Sequence, residues 1–129
     1  MIFLDSNIWI FSEMRDYPEH DLAKKKLAEY INDGVVINDI ILSETFYKIY
    51  RLISCEEAVM RTSNIINSAN VAYMPIEKET IQRALELSKL IRINDAIIAQ
   101  HVIDSKSALL TDNVKDFRKI KGLKIIKLR

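Results

Sequence analysis

Five short apolar runs punctuate this chain, and amphipathic stretches separate them. The runs are Met1–Asp5 (MIFLD), Val35–Ile37, Val71–Ile76, Ala108–Leu110 and Leu123–Leu128. The first ends on an acid after four apolar residues, as a strand buried on both faces does. Between the runs the apolar residues recur at helical spacing. Ser6 is placed to cap a short helix over Asn7–Ser12. Asp21–Ile31 sets Leu22, Ala23, Leu27 and Ala28 on one stripe, and Asn32-Asp33-Gly34 stops it. Asn38 or Asp39 caps a helix from Ile40 to Ile53. Ser54, three residues ahead of Glu57, has the capping-box spacing for a helix to about Ser68. Glu77–Leu90, Ile93–Ser105 and Val114–Ile120 complete the expected helices, with Arg15–His20 left as a loop or helix entry.

Strands that alternate with helices define an α/β domain with a mainly parallel five-stranded sheet and helices on both sides. With 129 residues and no repeat, linker or low-complexity segment, residues 1–129 read as a single domain. In such sheets ligands bind beyond the carboxyl ends of the strands. Asp5, Asp39 and the pair Thr111-Asp112 fall there.

Composition removes several alternatives. Two glycines cannot write a phosphate-cradling loop of either common nucleotide-binding type. One cysteine, Cys55, excludes an intrachain disulfide and, with only two histidines, argues against a Cys/His zinc site. There is no basic, then apolar, leader and no run of 18 apolar residues. The expectation is a cytoplasmic protein without a membrane span. The net charge of +1 is unevenly spread. From Lys115 onward seven basic residues face one acid, so that stretch carries +6 and residues 1–114 carry −5. Such a stretch suits either an anionic polymer or the protection of an edge strand.

Three carboxylates stand out from the solvated majority. Asp5 ends a buried strand, where an unpaired charge is costly; the competing role is capping of the next helix. Glu44 has Ile40, Ile41 and Tyr47 at helical spacing, which sets it on or beside an inward stripe. Asp95 interrupts the stripe Ile91, Ile98, Ala99, Val102 and lies near a helix N-terminus, where the dipole favours an anion. Thr111, Asp112, Asn113 and Asp116 cluster after the fourth strand. Gathered carboxylates repel one another, and a hard divalent cation relieves this; oxygen-only ligands suit Mg²⁺ or Mn²⁺. Such a metal supports hydrolysis of a phosphodiester by water.

Four stretches, MIFLDSNIWI, ILSETFYKIY, LRINDAIIAQ and LLTDNVKDFRKI, in this order and spacing over essentially the whole chain, resemble the signature stretches of PIN domains. A domain of this size is similar to the VapC-type toxins of toxin–antitoxin pairs. The resemblance implies a flavodoxin-like three-layer α/β/α fold and Mg²⁺- or Mn²⁺-dependent endoribonuclease activity on an RNA substrate. It also implies a homodimer and a small antitoxin protein as partner. By motif position Asp5, Glu44 and Asp95 are its first three acids. The place two residues after Thr111 holds Asn113, and Asp116, before Phe117, fits the variant in which the acid comes later; it ranks ahead of Asp112 as the fourth. Ser6, Thr111, Asn113 and Asp112 are supporting residues. Trp9, Phe11, Phe46, Tyr47 and Tyr50 are read as core or dimer contacts ahead of base-stacking surfaces.

Two rival readings fit the residues less well. A haloacid-dehalogenase-like phosphatase wants a second Asp two residues after Asp5, where Asn7 stands. A catalytically silent PIN-like binding module should have lost acids that this chain retains.

Overall fold

The computed structural model describes residues 1–129. Five strands form one wholly parallel sheet: β1 (Ile2–Leu4), β2 (Val35–Ile37), β3 (Val71–Tyr73), β4 (Ala108–Thr111) and β5 (Ile125–Lys127), in the order β3-β2-β1-β4-β5. The apolar runs explain this order. β1, β2 and β4 are buried along their whole length, which suits the middle of a sheet covered on both faces; β3 and β5, partly exposed, are the edges. Register is regular, with Phe3 opposite Val36 on one side and Leu109 on the other.

Seven helices connect the strands: α1 (Ser6–Glu13), α2 (His20–Tyr30), α3 (Asp39–Leu52), α4 (Cys55–Ile66), α5 (Lys78–Leu87), α6 (Ile93–Asp104) and α7 (Val114–Phe117). α1 packs on α2 and α3, α3 packs on α4, and α5 packs on α6. Strand order moves one way from β1 to β3 and then returns across β1 to β4. Right-handed crossovers therefore lay α1–α4 on one face and α5–α6 on the other, a three-layer sandwich. The principal core joins Phe3, Leu4, Ile8, Ile37, Ile41, Ile98, Leu109, Leu110 and Phe117, each without solvent exposure. Truncation of one such aliphatic side chain to Ala would cost about 2–5 kcal/mol.

Several boundaries shift from the sequence expectation. β3 ends at Tyr73, not Ile76, because Pro75 follows and cannot donate to a ladder. α5 stops at Leu87 and α7 is a single turn ending at Phe117. α2 runs into a short 3₁₀ turn, Ile31–Asp33, closed by Gly34 at φ +90°, a backbone angle that favours glycine. Asn38 is the cap of α3: its Oδ1 accepts from the Ile41 N–H at 2.9 Å. Ser54 caps α4 by accepting from the Glu57 N–H at 3.1 Å. At α1 the expectation was wrong by one residue. Asp5, not Ser6, is the N-cap, because the chain is still extended at Asp5 and turns helical at Ser6.

The reversal of strand order beside β1 leaves a crevice beyond the carboxyl ends of β1 and β4. Asp5 and Thr111 stand at that edge.

Candidate active site

Asp5 is 5% exposed, and both its oxygens are engaged. Oδ1 accepts from the Ser6 N–H at 2.8 Å, and Oδ2 accepts from the Thr111 hydroxyl at 2.8 Å. The first bond caps α1 and the second ties β1 to β4, so the helix-capping role and a site role coexist in one residue. Burial pushes the Asp5 carboxyl above its usual range; Thr111, the Ser6 N–H and the nearby Lys48 ammonium act against this.

Glu44 projects from α3. The inward stripe of that helix is Ile41, Thr45 and Ile49, all buried, and Glu44 borders it. Tyr47, expected to share the stripe, is instead 58% exposed. Its spacing from Glu44 sets it on the side of Glu44 away from the core. Burial, then the charge of Asp5, raises the Glu44 carboxyl, and Lys48, Asn94 and Ser6 partly offset the rise.

Asp95 lies in the first turn of α6, followed by the buried run Ala96–Ala99. Its carboxyl is pushed up to about 6 by burial, then by the charges of Asp5 and Glu44 and, more weakly, Asp116; Arg92 opposes them. All four acids are therefore within electrostatic reach of one point, though they come from β1, α3, α6 and α7.

The cluster after β4 divides in two. Asp112 turns away: Arg129 donates to it from Nε at 3.1 Å and from Nη2 at 2.8 Å, and the same guanidinium holds Glu19. Asp116 stays with the other acids, accepting from Asn113 Nδ2 at 3.2 Å, with Lys119 3.7 Å away. Thr111 is the hub: its hydroxyl donates to Asp5 and accepts from the Asn113 N–H at 2.9 Å.

Sequence reasoning missed three neighbours. Lys48 donates to Ser6 Oγ at 3.1 Å and Asn7 Oδ1 at 2.5 Å, with its ammonium against Asp5 and Glu44. Its signal was present, since Lys48 follows Glu44 at the i,i+4 spacing of a helical ion pair. Asn94 lies near Glu44 and works against the rise of its carboxyl, as Arg92 does for Asp95; nothing in the local pattern distinguished either from a solvated residue.

The donor set tests whether a cation belongs here. It is all oxygen and mutually repulsive, which fits a hard divalent ion. As folded, no three carboxyl, imidazole or thiol groups stand close enough to share one ion. Lys48 and Arg92 partly neutralise the cluster.

A doubly wound parallel α/β domain with acids gathered where its strand order reverses is the class of protein defined by this fold and site. The chain belongs to the PIN domain family, whose model matches residues 2–123. Sequence comparison with curated proteins finds no match. Among solved structures, the chain is similar to VapBC2 from Rickettsia felis bound to a DNA fragment from their promoter, at 21% identity and TM-score 0.79, covering 98% of each chain. It is also similar to the Sarcin-Ricin loop cleaving toxin VapC20 of Mycobacterium tuberculosis, at 18% identity and TM-score 0.77, covering 92% of this chain and 94% of that one. A toxin-antitoxin complex from Klebsiella pneumoniae aligns at 21% identity and TM-score 0.72, covering 100% of this chain and 98% of the other. No helix is long and apolar enough to cross a membrane.

Proposed function

We propose that residues 1–129 form a single nuclease domain, a divalent-metal-dependent endoribonuclease and the toxin of a VapBC-type toxin–antitoxin pair. The observation that carries this reading is the gathering of Asp5, tied to Thr111, with Glu44, Asp95 and Asp116 at the crevice beyond β1 and β4; burial, then the charges of Asp5 and Glu44 and more weakly Asp116, raises the Asp95 carboxyl. Four acids drawn from four elements to one crevice are costly to keep without a function that uses them.

In this reading Asp5, Glu44, Asp95 and Asp116 would draw together, with waters completing the shell, to hold Mg²⁺ or Mn²⁺, since as folded no three of them are close enough to share one ion. Such an ion supplies Lewis-acid polarisation of a phosphate and lowers the pKa of an attacking water. The chain's own residues do the rest. Thr111 and the Ser6 N–H hold the Asp5 carboxyl in a fixed rotamer. Asn113 orients Asp116. Lys48, held by Ser6 and Asn7, offers a cation to a phosphate oxygen beside Glu44. The phosphatase rival wants a second Asp two residues after Asp5, and Asn7 stands there, held by Lys48.

Partners follow from surface and kinship. Exposed apolar residues on α3 and α4 (Leu52, Ile53, Val59, Met60) and at α5–α6 (Leu85, Leu90, Ile93) leave two surfaces for a homodimer contact and an antitoxin.

The test is cleavage of RNA by the purified chain. Mg²⁺ or Mn²⁺ should support cleavage, EDTA should stop it, and Asp5→Asn should lose it by about a hundredfold or more. Equal cleavage by a folded Asp5→Asn protein would remove Asp5 from the site.

A further inference from the structure

Lys48 projects from α3 four residues after Glu44 and is half-buried. Its charge reaches both Asp5 and Glu44. It nevertheless forms no ion pair with either. The ammonium instead sits between two neutral oxygens: Nζ donates to Ser6 Oγ at 3.1 Å and to Asn7 Oδ1 at 2.5 Å. Both oxygens belong to the first turn of α1, directly after Asp5, and Ser6 is buried.

An ammonium paired directly with Asp5 or Glu44 would occupy oxygens that a divalent ion needs. Lys48 leaves those carboxylate oxygens free and takes neutral ones. They are the amide and hydroxyl oxygens that a second hard cation beside Asp5 would use. The charges argue the same way. Arg92 opposes the rise of Asp95, and Lys119 lies 3.7 Å from Asp116. Four carboxylates, all ionised, against Lys48, Arg92 and Lys119 leave one negative charge in excess. One divalent ion turns this into one positive charge, which a single phosphodiester anion balances. A second divalent ion would leave two positive charges uncompensated even with the phosphate bound.

We infer that Lys48 is the resident second cation of this site: its ammonium fills the oxygen seat made by Ser6 and Asn7, so the carboxylates take one divalent ion per chain and not two. The inference rests on the metal-dependent reading of the site and adds the number of ions to it. A lysine cannot be stripped by a chelator, so removal of the metal takes away only one of the two cations.

The experiment counts ions and needs no RNA. The full chain is titrated with Mn²⁺, and the unbound ion is read from its electron paramagnetic resonance signal. The parent should bind one Mn²⁺ per chain. Lys48→Ala, which empties the seat and removes its charge, should bind two, the first of them severalfold more tightly than in the parent. Lys48→Arg, which keeps a cation there, should return the count to one. Two ions of comparable affinity in the parent overturn the inference, whether or not Lys48→Ala folds. A tighter first ion in a folded Lys48→Ala protein that still binds only one also overturns it, because Lys48 would then act as a general charge and fill no seat. RNA cleavage with Mn²⁺ in parallel separates this inference from the nuclease reading. A parent that cuts RNA while holding two ions keeps the nuclease reading and loses the inference. A count that rises from one to two in Lys48→Ala, with no RNA cut by the parent, keeps the seat and loses the nuclease reading. A parent that binds no Mn²⁺ loses both.

Discussion

At the residue scale the cost of the site is concentrated in Asp95. Its folded carboxyl titrates at about 6, well above its ordinary value of 3.8. The folded state therefore binds a proton more readily than the unfolded state between those values, and stability falls as pH rises through that window. In metal-free protein, the melting temperature should rise as pH is lowered from 7 toward 5. Asp95→Asn should flatten that rise and leave the protein as stable or more stable at pH 7, by on the order of 1–2 kcal/mol, Asp95 being half-buried. A melting temperature series across pH for parent and variant checks this; an identical pH response would show that Asp95 carries no such strain. The acids after β4 give a second residue-scale prediction. Asp116→Asn should cut RNA cleavage about tenfold or more, whereas Asp112→Asn should leave it near the parent level and cost no more than about 1 kcal/mol, since Asp112 is engaged by Arg129 near the surface. Paired initial rates and melts decide it. The ranking of Asp116 ahead of Asp112 comes from the family resemblance, by its place before Phe117. The diversion of Asp112 to Arg129 was not, because it depends on where β5 ends in space, 17 residues further on.

At the element scale the site depends on how α3 and α6 are held together, since one carries Glu44 and the other Asp95. A buried contact does this: Asn38 Nδ2 lies 2.9 Å from His101 Nδ1, while Asn38 Oδ1 caps α3. The Asn38 amide must donate to His101, so that nitrogen accepts and the imidazole is neutral. His101 is 4% exposed, and burial lowers its pKa; Asp104, Asp39 and Glu77 oppose the shift. Its folded pKa lies below the unfolded value of 6.5, so its contribution to stability is complete above that value and is lost as pH falls through it. This opposes the Asp95 effect, and single variants separate the two. His101→Gln should steepen the gain in stability on acidification, and Asn38→Ala should cost about 1–2 kcal/mol through the lost cap. A wild-type pH profile in His101→Gln would contradict the contact's role. Much at this scale was readable in advance. The five apolar runs, the Ser54 cap and a cap of α3 at Asn38 or Asp39 all follow from local pattern, because apolar strands and capped helices have local signatures. What local pattern could not supply was contact between distant positions. His101 lies 63 residues from Asn38, and Tyr47 was assigned inward because periodicity gives a face of a helix, not which neighbour covers it. Asp5 took the capping position from Ser6 for a related reason: β1 extends far enough to carry the Asp5 backbone, whose N–H donates to Leu110 O at 2.9 Å.

At the scale of the whole molecule, charge is arranged against the grain of the site. The acids are gathered at the carboxyl ends of the central strands, while the basic excess lies on α7 and β5 at one edge of the sheet. Arg129 and Lys119 are spent on Asp112, Glu19 and Asp116, but Lys115, Arg118, Lys121, Lys124 and Lys127 are exposed and form no ion pair. β5 is an edge strand, and lysines there discourage pairing with another chain. If that were their whole use, removing two from the loop ahead of the strand would not touch turnover. If they draw the polyanion toward the crevice, the effect must be on encounter and must vanish with salt, since the Debye length is only about 10 Å at 0.1 M. The double variant Lys121→Gln, Lys124→Gln should therefore lower kcat/KM severalfold at low ionic strength, leave kcat unchanged, and converge on the parent above about 0.3 M salt. Steady-state rates over a salt series measure both parameters at once. Parallel curves for parent and variant would confine these lysines to guarding the edge of the sheet.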